Sequence, residues 1–258
     1  MSSRSTAGKS AGAYTGTALI GAMAVAAYEL ATDVTGWLEP VLFPGLVRIV
    51  PAFRESLPRL LDGLLNSFGL LLPSYLLALI LGISLGLFVG YHPTLKKVLM
   101  PIFRGISPIP PTMLIPYAIS ILPTFWLSSA FIIFAGAFWP ILLGTIHGVV
   151  LLEERYLDNA RTLGLKGGRL LCKVVFPGAL PHIFSGAGMA LVFSFILLTV
   201  AEMFGAKSGM GYFIQYYADF SDYPKVLAGM LFMSAFIIIV MTLFDAFQRR
   251  ALHWTARR

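Results

Sequence analysis

The sequence predicts an all-α polytopic membrane protein with six transmembrane helices. Hydrophobic residues make up 57% of its 258 residues and charged residues only 12%, which is about half of the ~25% that is usual in soluble domains. The few charges leave long uncharged stretches, and a helix needs about 20 apolar residues to cross a bilayer. These stretches are Ser10–Tyr28, Gly63–Leu95, Gly105–Leu152, Val174–Ala201 and Val226–Phe244.

Two of the stretches need interpretation before the spans can be counted. Gly105–Leu152 has 48 residues and is long enough for two spans, with a turn at Leu122-Pro123-Thr124 because proline stops a helix. Ser10–Tyr28 follows a short Ser-rich leader and fits either a retained first span or a cleaved signal peptide. Its length exceeds the usual apolar core of a signal peptide and favours the retained span.

The basic residues predict the orientation of the spans. With both termini in the cytoplasm, 14 of the 19 Lys and Arg residues fall on the cytoplasmic side, as the positive-inside rule requires. The net charge of +7 therefore indicates membrane topology rather than nucleic-acid binding. The single cysteine, Cys172, excludes an internal disulfide and a cysteine-based metal site.

Three of the basic residues on the opposite side lie together in the segment Leu46–Leu64. Its apolar residues recur at helical spacing, with charged residues between them. This pattern predicts either an amphipathic helix on the outer membrane surface or an ordinary packing helix between spans. We expect a break at Pro58, since proline disrupts a helix interior.

A polar segment, residues 153–181, interrupts the apolar sequence. Glu153 and Glu154 precede a short helical run and basic residues follow it, an order that suits the helix dipole. Gly164 is placed to end that helix, and the pair Gly167-Gly168 permits a sharp reversal. From the residues alone, the segment is either a solvated loop that fixes topology or a contact surface for a partner in water.

From about Gly63 onward, the order of features resembles the membrane subunits of binding-protein-dependent ABC importers, in particular the branch for sulfonates, taurine and nitrate. The segment Leu157–Pro181 resembles that superfamily's cytoplasmic EAA motif, although Asp158 and Asn159 replace the motif's usual acid and first small residue. The other matches are Asn66-Ser67 followed by Gly82, Gly86 and Gly90; Pro108-Ile109-Pro110-Pro111 followed by Ile115-Pro116; and Ala201-Glu202-Met203-Phe204-Gly205-Ala206 followed by Gly209-Met210-Gly211-Tyr212.

The resemblance implies the type I ABC importer transmembrane-domain fold in the bacterial cytoplasmic (inner) membrane. Residues 1–62 then form the N-terminal tail, the first span and the outer amphipathic segment, and residues 63–258 form the permease core with its coupling loop at 153–181. It implies docking to ABC ATPase subunits, which bind the ATP and Mg²⁺, whereas this chain itself holds no cofactor and is not an enzyme. The implied ATPase-coupling residues are Asp158, Asn159, Ala160, Arg161, Thr162, Leu163 and Gly164.

Further implied partners are a periplasmic or lipid-anchored solute-binding protein, a second permease copy in a homodimer, and membrane lipid, with no nucleic acid. The sequence itself contains no Gly-x-x-x-x-Gly-Lys-Ser/Thr run for a nucleotide. The segment Gly205–Gly209 only superficially resembles a phosphate loop and is better read as a turn.

The proline-rich third span predicts a wall of the translocation path, because broken helices are tolerated where they line a cavity. Its hydroxyls either face a polar solute or bond their own helix. Glu202 either reaches the interface, gates the path or braces the loop Gly205–Tyr212, and we expect His147 to be a packed or interfacial residue. The candidate path residues are Ser107, Pro110, Thr112, Pro116, Ser120, Ser194, Thr199 and Glu202.

We therefore expect a permease subunit of an ATP-driven importer for a small anionic solute of the sulfonate, taurine or nitrate kind. The alternative is an ion-driven secondary transporter that acts without an ATPase. Such a transporter would use paired acids or a histidine relay in mid-membrane, and the sequence shows no such pairing.

Overall fold

The computed structural model describes residue 16 and residues 19–254, and every regular element in that part of the chain is helical. The predicted first span, Ser10–Tyr28, lies partly outside the described residues; 19–28 are helical. The helices are α1 (residues 19–29, continued by a π-helical turn Leu30–Val34), α2 (Leu46–Tyr91), α3 (Pro93–Ile106), a 3₁₀ turn (Pro111–Leu114), α4 (Ile115–Ile121), α5 (Phe125–Val150), α6 (Glu154–Thr162), α7 (Gly167–Leu170), a π-helical turn (Leu171–Val175), α8 (Phe176–Gly205), α9 (Met210–Asp219) and α10 (Tyr223–Ala251).

Within the described residues, four helices are long and apolar enough to cross a membrane, or five if one bent pair counts as a single span. The four are α2, α5, the continuous run Gly167–Gly205 and α10. The predicted turn at 122–124 is confirmed, because α4 ends at Ile121 and α5 begins at Phe125. Thr124 caps α5 by accepting a hydrogen bond from the Leu127 N–H at 3.2 Å, a common role for threonine at a helix start.

The expected break at Pro58 is wrong, because α2 runs without interruption through all 46 of its residues. A proline inside a helix costs about 3 kcal/mol, and burying a leucine recovers about 1.5–3 kcal/mol. The buried stripe continues in helical register on both sides of the proline, with Leu60 fully buried beyond it. The buried positions around Pro58 are Ile49, Ala52, Ser56 and Leu60.

Three glycines of α2 let that helix approach α5 closely. A Cβ atom added to Gly82 would lie 2.8 Å from the Ile141 side chain, and one added to Gly86 would lie 2.6 Å from Thr145 Cβ. A Cβ atom added to Gly90 would lie 2.9 Å from Val149 Cβ. The glycine series therefore packs within the chain, as small residues do where helices meet closely in membranes.

The chain forms two compact units. One comprises the chain up to Pro58 together with Ile214–Leu231, and the other comprises Arg59–Phe213 together with the chain from Phe232 onward. In the first unit, the Lys225 ammonium lies 3.4 Å from Glu55 and 3.3 Å from Asp222. In the second unit, α5 packs chiefly against α8, around a core that includes Ala78, Ile133, Ile141, Ala190 and Leu198.

Candidate functional site

The end of α6 has a fixed geometry that follows from one glycine. Gly164 has φ +80°, a conformation that side chains with a Cβ rarely adopt. Its N–H donates to the Arg161 carbonyl at 3.0 Å, and the Leu165 N–H donates to the Ala160 carbonyl at 3.0 Å. This pair of hydrogen bonds is the Schellman arrangement that ends many helices. The chain therefore leaves α6 in a defined direction.

A single residue of the predicted coupling segment anchors it to the rest of the protein. Ala160 is 5% exposed and packs in a cluster with Leu87 of α2, Val149 of α5 and Ala179 of α8. The other six residues are exposed: Asp158, Asn159, Arg161, Thr162, Leu163 and Gly164. The small side chain at 160 thus lets α6 join an apolar cluster at the ends of three long helices while its other face stays open.

The exposed face carries local polar contacts and one apolar tip. Asp158 and Arg161 form an ion pair at 3.0 Å, and the Thr162 hydroxyl donates to the Asn159 carbonyl at 2.7 Å. At the start of the helix, a hydrogen bond to Glu153 raises the pKa of the Arg155 guanidinium. Leu163, at the end of this helix, is 81% exposed.

The proline-rich segment after α3 breaks the span. The axis of α3 and that of the 3₁₀ turn with α4 differ by 78°. Pro108, Pro110 and Pro111 lack a backbone N–H, so three of four successive residues cannot donate a helical hydrogen bond. Pro110 is extended, with φ −62° and ψ 124°. The expected interruption of this span is confirmed.

The break opens onto a cavity of about 640 Å³ between the proline segment, α5 and α8. Its lining is mostly apolar and contains no Asp, Glu, Lys or Arg side chain. A mostly apolar lining with a few polar groups is usual for small-molecule sites. The lining residues are Ser107, Pro108, Ile109, Pro110, Pro111, Thr112, Gly136, Trp139, Pro140, Leu143, Gly144, His147, His182, Ser185, Gly186, Met189, Phe193, Ile196 and Leu197.

Glycines bring α5 and α8 into backbone contact beside this cavity. A Cβ atom on Gly144 would lie 3.1 Å from Gly186 Cα, and one on Gly186 would lie 2.5 Å from the Pro140 carbonyl oxygen. Neither glycine has room for a side chain without displacing backbone. Because α8 rises about 1.5 Å per residue, the lining residues from His182 to Leu197 cover about 22 Å of its length.

The structure brings three of the eight candidate path residues to the cavity, namely Ser107, Pro110 and Thr112. Pro116 and Ser120 are exposed on α4, where the Ser120 hydroxyl donates to the Pro116 carbonyl. Ser194 and Thr199 each donate to a carbonyl one turn earlier in α8, both at 2.8 Å. The hydroxyls of Ser120, Ser194 and Thr199 therefore donate hydrogen bonds to their own helices.

Glu202, the eighth candidate, holds a buried network. Its carboxyl group accepts hydrogen bonds from the Ser67 hydroxyl at 2.6 Å and from the Gly211 N–H at 2.8 Å. Ser67 in turn accepts from the Met210 N–H at 2.9 Å. Gly209, with φ +119°, sits so close to the carboxyl group that a Cβ atom would overlap it. Of the three roles considered for Glu202, this geometry is that of a brace for the loop.

Two histidines at the cavity were not among the predicted site residues. His147 and His182 both line it, together with Ser185. A pattern in the sequence could have identified them, because the lining positions on α5 and α8 recur every three or four residues, as positions on one helix face do. Their small and polar members stand out in otherwise apolar helices. In residues 19–254, no group of three or more His, Cys, Asp or Glu side chains is arranged to hold a metal ion.

Comparison with known proteins places these features in a family. Residues 78–253 match the model of the binding-protein-dependent transport system inner membrane component. A protein of Methanocaldococcus jannaschii named as an ABC transporter permease is 34% identical over 173 residues, covering 67% of this chain and 65% of the relative. A bicarbonate transport system permease protein of Synechocystis sp. is 34% identical, covering 58% of this chain and 54% of the relative.

A nitrate import permease protein of Leptolyngbya laminosa is also 34% identical, over 140 residues that cover 54% of this chain and 50% of the relative. The chain thus spans about half to two thirds of the length of these relatives. The family model covers more than half of the chain. The chain therefore belongs to the inner-membrane components of binding-protein-dependent transport systems, the non-catalytic, multi-pass permease subunits of ABC transporters.

Proposed function

We propose that this chain is the permease subunit of an ATP-driven importer and that the segment 158–164 docks its ATPase. The observation that carries the proposal is the construction of that segment. One small residue, Ala160, is buried in an apolar cluster with residues of three long helices, and a glycine-terminated backbone presents the remaining six residues to solvent. A segment built only to fix topology would need neither the anchor nor the fixed exit direction.

The same contacts supply a route for mechanical coupling. A displacement of α6 would reach the ends of α2, α5 and α8 through the apolar cluster that contains Ala160. It also acts on α8 along the chain, because α7 and the π-helical turn Leu171–Val175 lead directly into it. Both α5 and α8 line the cavity. Since packed helices move as rigid units, closure of a partner ATPase on α6 would change the opening of the cavity.

The proposal includes an orientation and a set of partners. The segment 153–181 and both termini face the cytoplasm, in keeping with the distribution of basic residues. Two ATPase subunits, which bind ATP and Mg²⁺, act on two permease copies in a homodimer in the bacterial inner membrane. A periplasmic or lipid-anchored binding protein delivers the solute to the opposite face.

The solute is a small anion of the sulfonate, taurine or nitrate kind. Two relatives, named for nitrate import and bicarbonate transport, support this class. The absence of carboxylates from the cavity lining also supports it, because an acidic side chain there would repel an anion.

The test is solute uptake into proteoliposomes that contain the chain, with and without its ATPase and binding protein. We expect uptake of the delivered anion to require all the components and ATP, and to be unaffected when a proton gradient is collapsed. Uptake by the chain alone under a proton gradient would refute the proposal and favour a secondary transporter.

A further inference from the structure

The cavity between α5 and α8 is lined by two imidazole side chains, those of His147 and His182. Among the residues that line it, His147 and His182 are accompanied by hydroxyls and apolar groups, with no acid and no other base. Both residues are exposed to the open cavity rather than buried in the protein interior, so their ring nitrogens are accessible to a solute. In the described part of the chain, no hydrogen bond is formed by either of these two rings, whereas the rings of His92 and His253 bond the carbonyls of Phe88 and Arg250.

The helix crossing holds the two histidines near one another. A Cβ atom on Gly148, the neighbour of His147, would lie 3.0 Å from His182 Cβ. One turn earlier, a Cβ atom on Gly144 would lie 3.0 Å from the His182 carbonyl oxygen. The two backbones are therefore in contact at this level. Both residues line the same cavity, one from α5 and one from α8.

The chemistry of this arrangement favours an anion. An imidazole donates one N–H hydrogen bond when neutral and two when protonated, and hydrogen bonds from such donors to an anion are stronger than those between neutral groups. No carboxylate in the lining competes for these donors. A proton relay would need an acid beside the rings, and a metal site would need a third ligand, which the described residues do not provide.

We propose that His147 and His182 together bind the oxyanion group of the transported solute. Ser185, one turn beyond His182 on α8, adds a hydroxyl donor to the same wall. The apolar wall formed by Leu143, Met189 and Phe193 takes any carbon portion that the solute carries. This inference deepens the proposed function and rests on it, since it assumes that the cavity lies on the transport path.

The chain has four histidines, which permits an internally controlled test that needs no ATPase. The full chain is labelled with ¹³C at histidine Cε1 and placed in lipid nanodiscs. Sodium nitrate is titrated at fixed pH, with ionic strength held constant by sodium fluoride. Urea, a neutral molecule of the same planar shape, is the matched control. Variants His147→Gln and His182→Gln assign the resonances.

We expect nitrate to shift the His147 and His182 resonances with one shared saturation curve, and to leave those of His92 and His253 unchanged. Urea should shift none of them. In His147→Gln, the half-saturating nitrate concentration read from His182 should rise about tenfold, the effect of losing one hydrogen bond to a charged group.

Three results would overturn the inference: equal shifts of all four resonances, no shift of the cavity pair, or an effect of urea equal to that of nitrate. The first and third of these results are read from the unmodified chain without assignment, so they do not depend on the variants being stable. Failure here leaves the ATPase-docking proposal standing. Uptake without an ATPase would contradict the docking proposal and leave the anion site standing.

Discussion

Replacing Ser67 by alanine tests whether the buried network around Glu202 holds the loop after α8. The Ser67 hydroxyl donates to the Glu202 carboxyl group at 2.6 Å and accepts from the Met210 N–H at 2.9 Å. Ser67 and Glu202 are each 2% exposed, so both lost hydrogen bonds lie away from the protein surface. The substitution removes both hydrogen bonds and leaves the Met210 N–H without an acceptor.

The expected loss of stability follows from these contacts. A net hydrogen bond contributes about 0.5–1.5 kcal/mol, and a buried group left unpaired costs about 1–3 kcal/mol. The free energy of unfolding should therefore fall by about 2–4 kcal/mol. For a chain of this size, about 1 kcal/mol corresponds to about 2–4 °C, so the melting temperature should fall by about 5 °C or more.

Ser129→Ala is the matched control. Ser129 is also 2% exposed, but its hydroxyl has no hydrogen-bond partner among the described residues, so its removal should leave the melting temperature unchanged or raise it. The assay is thermal unfolding in detergent followed by helical circular dichroism, together with hydrogen exchange at the Met210 and Gly211 amides. Equal melting temperatures for Ser67→Ala and the parent, with both amides still protected, would refute the role of the network.

Further substitutions test the two glycine features. Gly164→Ala should destabilise the end of α6 by about 1–2 kcal/mol, because residue 164 has a left-handed φ, and Gly164→Asn should destabilise it less. The measurement is the rate of amide exchange at Leu165, which should be faster in the alanine variant. Identical exchange rates in the two variants would contradict this expectation. Gly86→Ala forces a contact with Thr145 and should lower the free energy of unfolding by about 1–3 kcal/mol. Gly69 lies in the same helix, and a Cβ atom added there would meet no atom within 4 Å. Gly69→Ala should therefore raise the free energy of unfolding by about 0.5–1 kcal/mol. Chemical denaturation of the two variants should give opposite signs, and equal shifts would refute the proposed packing. Gly164→Glu should leave the amount of membrane-inserted chain unchanged and reduce ATPase co-purification, and undiminished co-purification would count against docking at this residue.

Features set by neighbouring residues could be predicted from the sequence. The four long apolar helices among the described residues follow from the absence of charge over long stretches, and the turn at 122–124 follows from a single proline. The end of α6 at Gly164 was predictable because the Schellman arrangement depends on six consecutive residues. The break after α3 likewise follows from three prolines within four residues.

Features that depend on distant packing could not be predicted in this way. The continuity of α2 through Pro58 depends on the burial of Leu60, which no local pattern reveals. The hydrogen bond between Ser67 and Glu202 joins residues 135 positions apart. The sequence therefore left open whether the Glu202 carboxyl group reaches the interface, gates the path or braces the loop. His182 was missed because the approach of α8 to α5 at Gly144 and Gly148 brings it into the cavity.

The most direct test of the docking proposal is a photocrosslink from Leu163 in the assembled transporter. In a Cys172→Ser background, Leu163→Cys is labelled with a maleimide benzophenone and irradiated in membranes that contain the ATPase. Lys207→Cys, which is also exposed but lies beyond the far end of α8, is the control. We predict an adduct with the ATPase from position 163 and none from position 207. An adduct from position 207, or none from position 163 in a complex that still hydrolyses ATP and transports solute, would contradict the account.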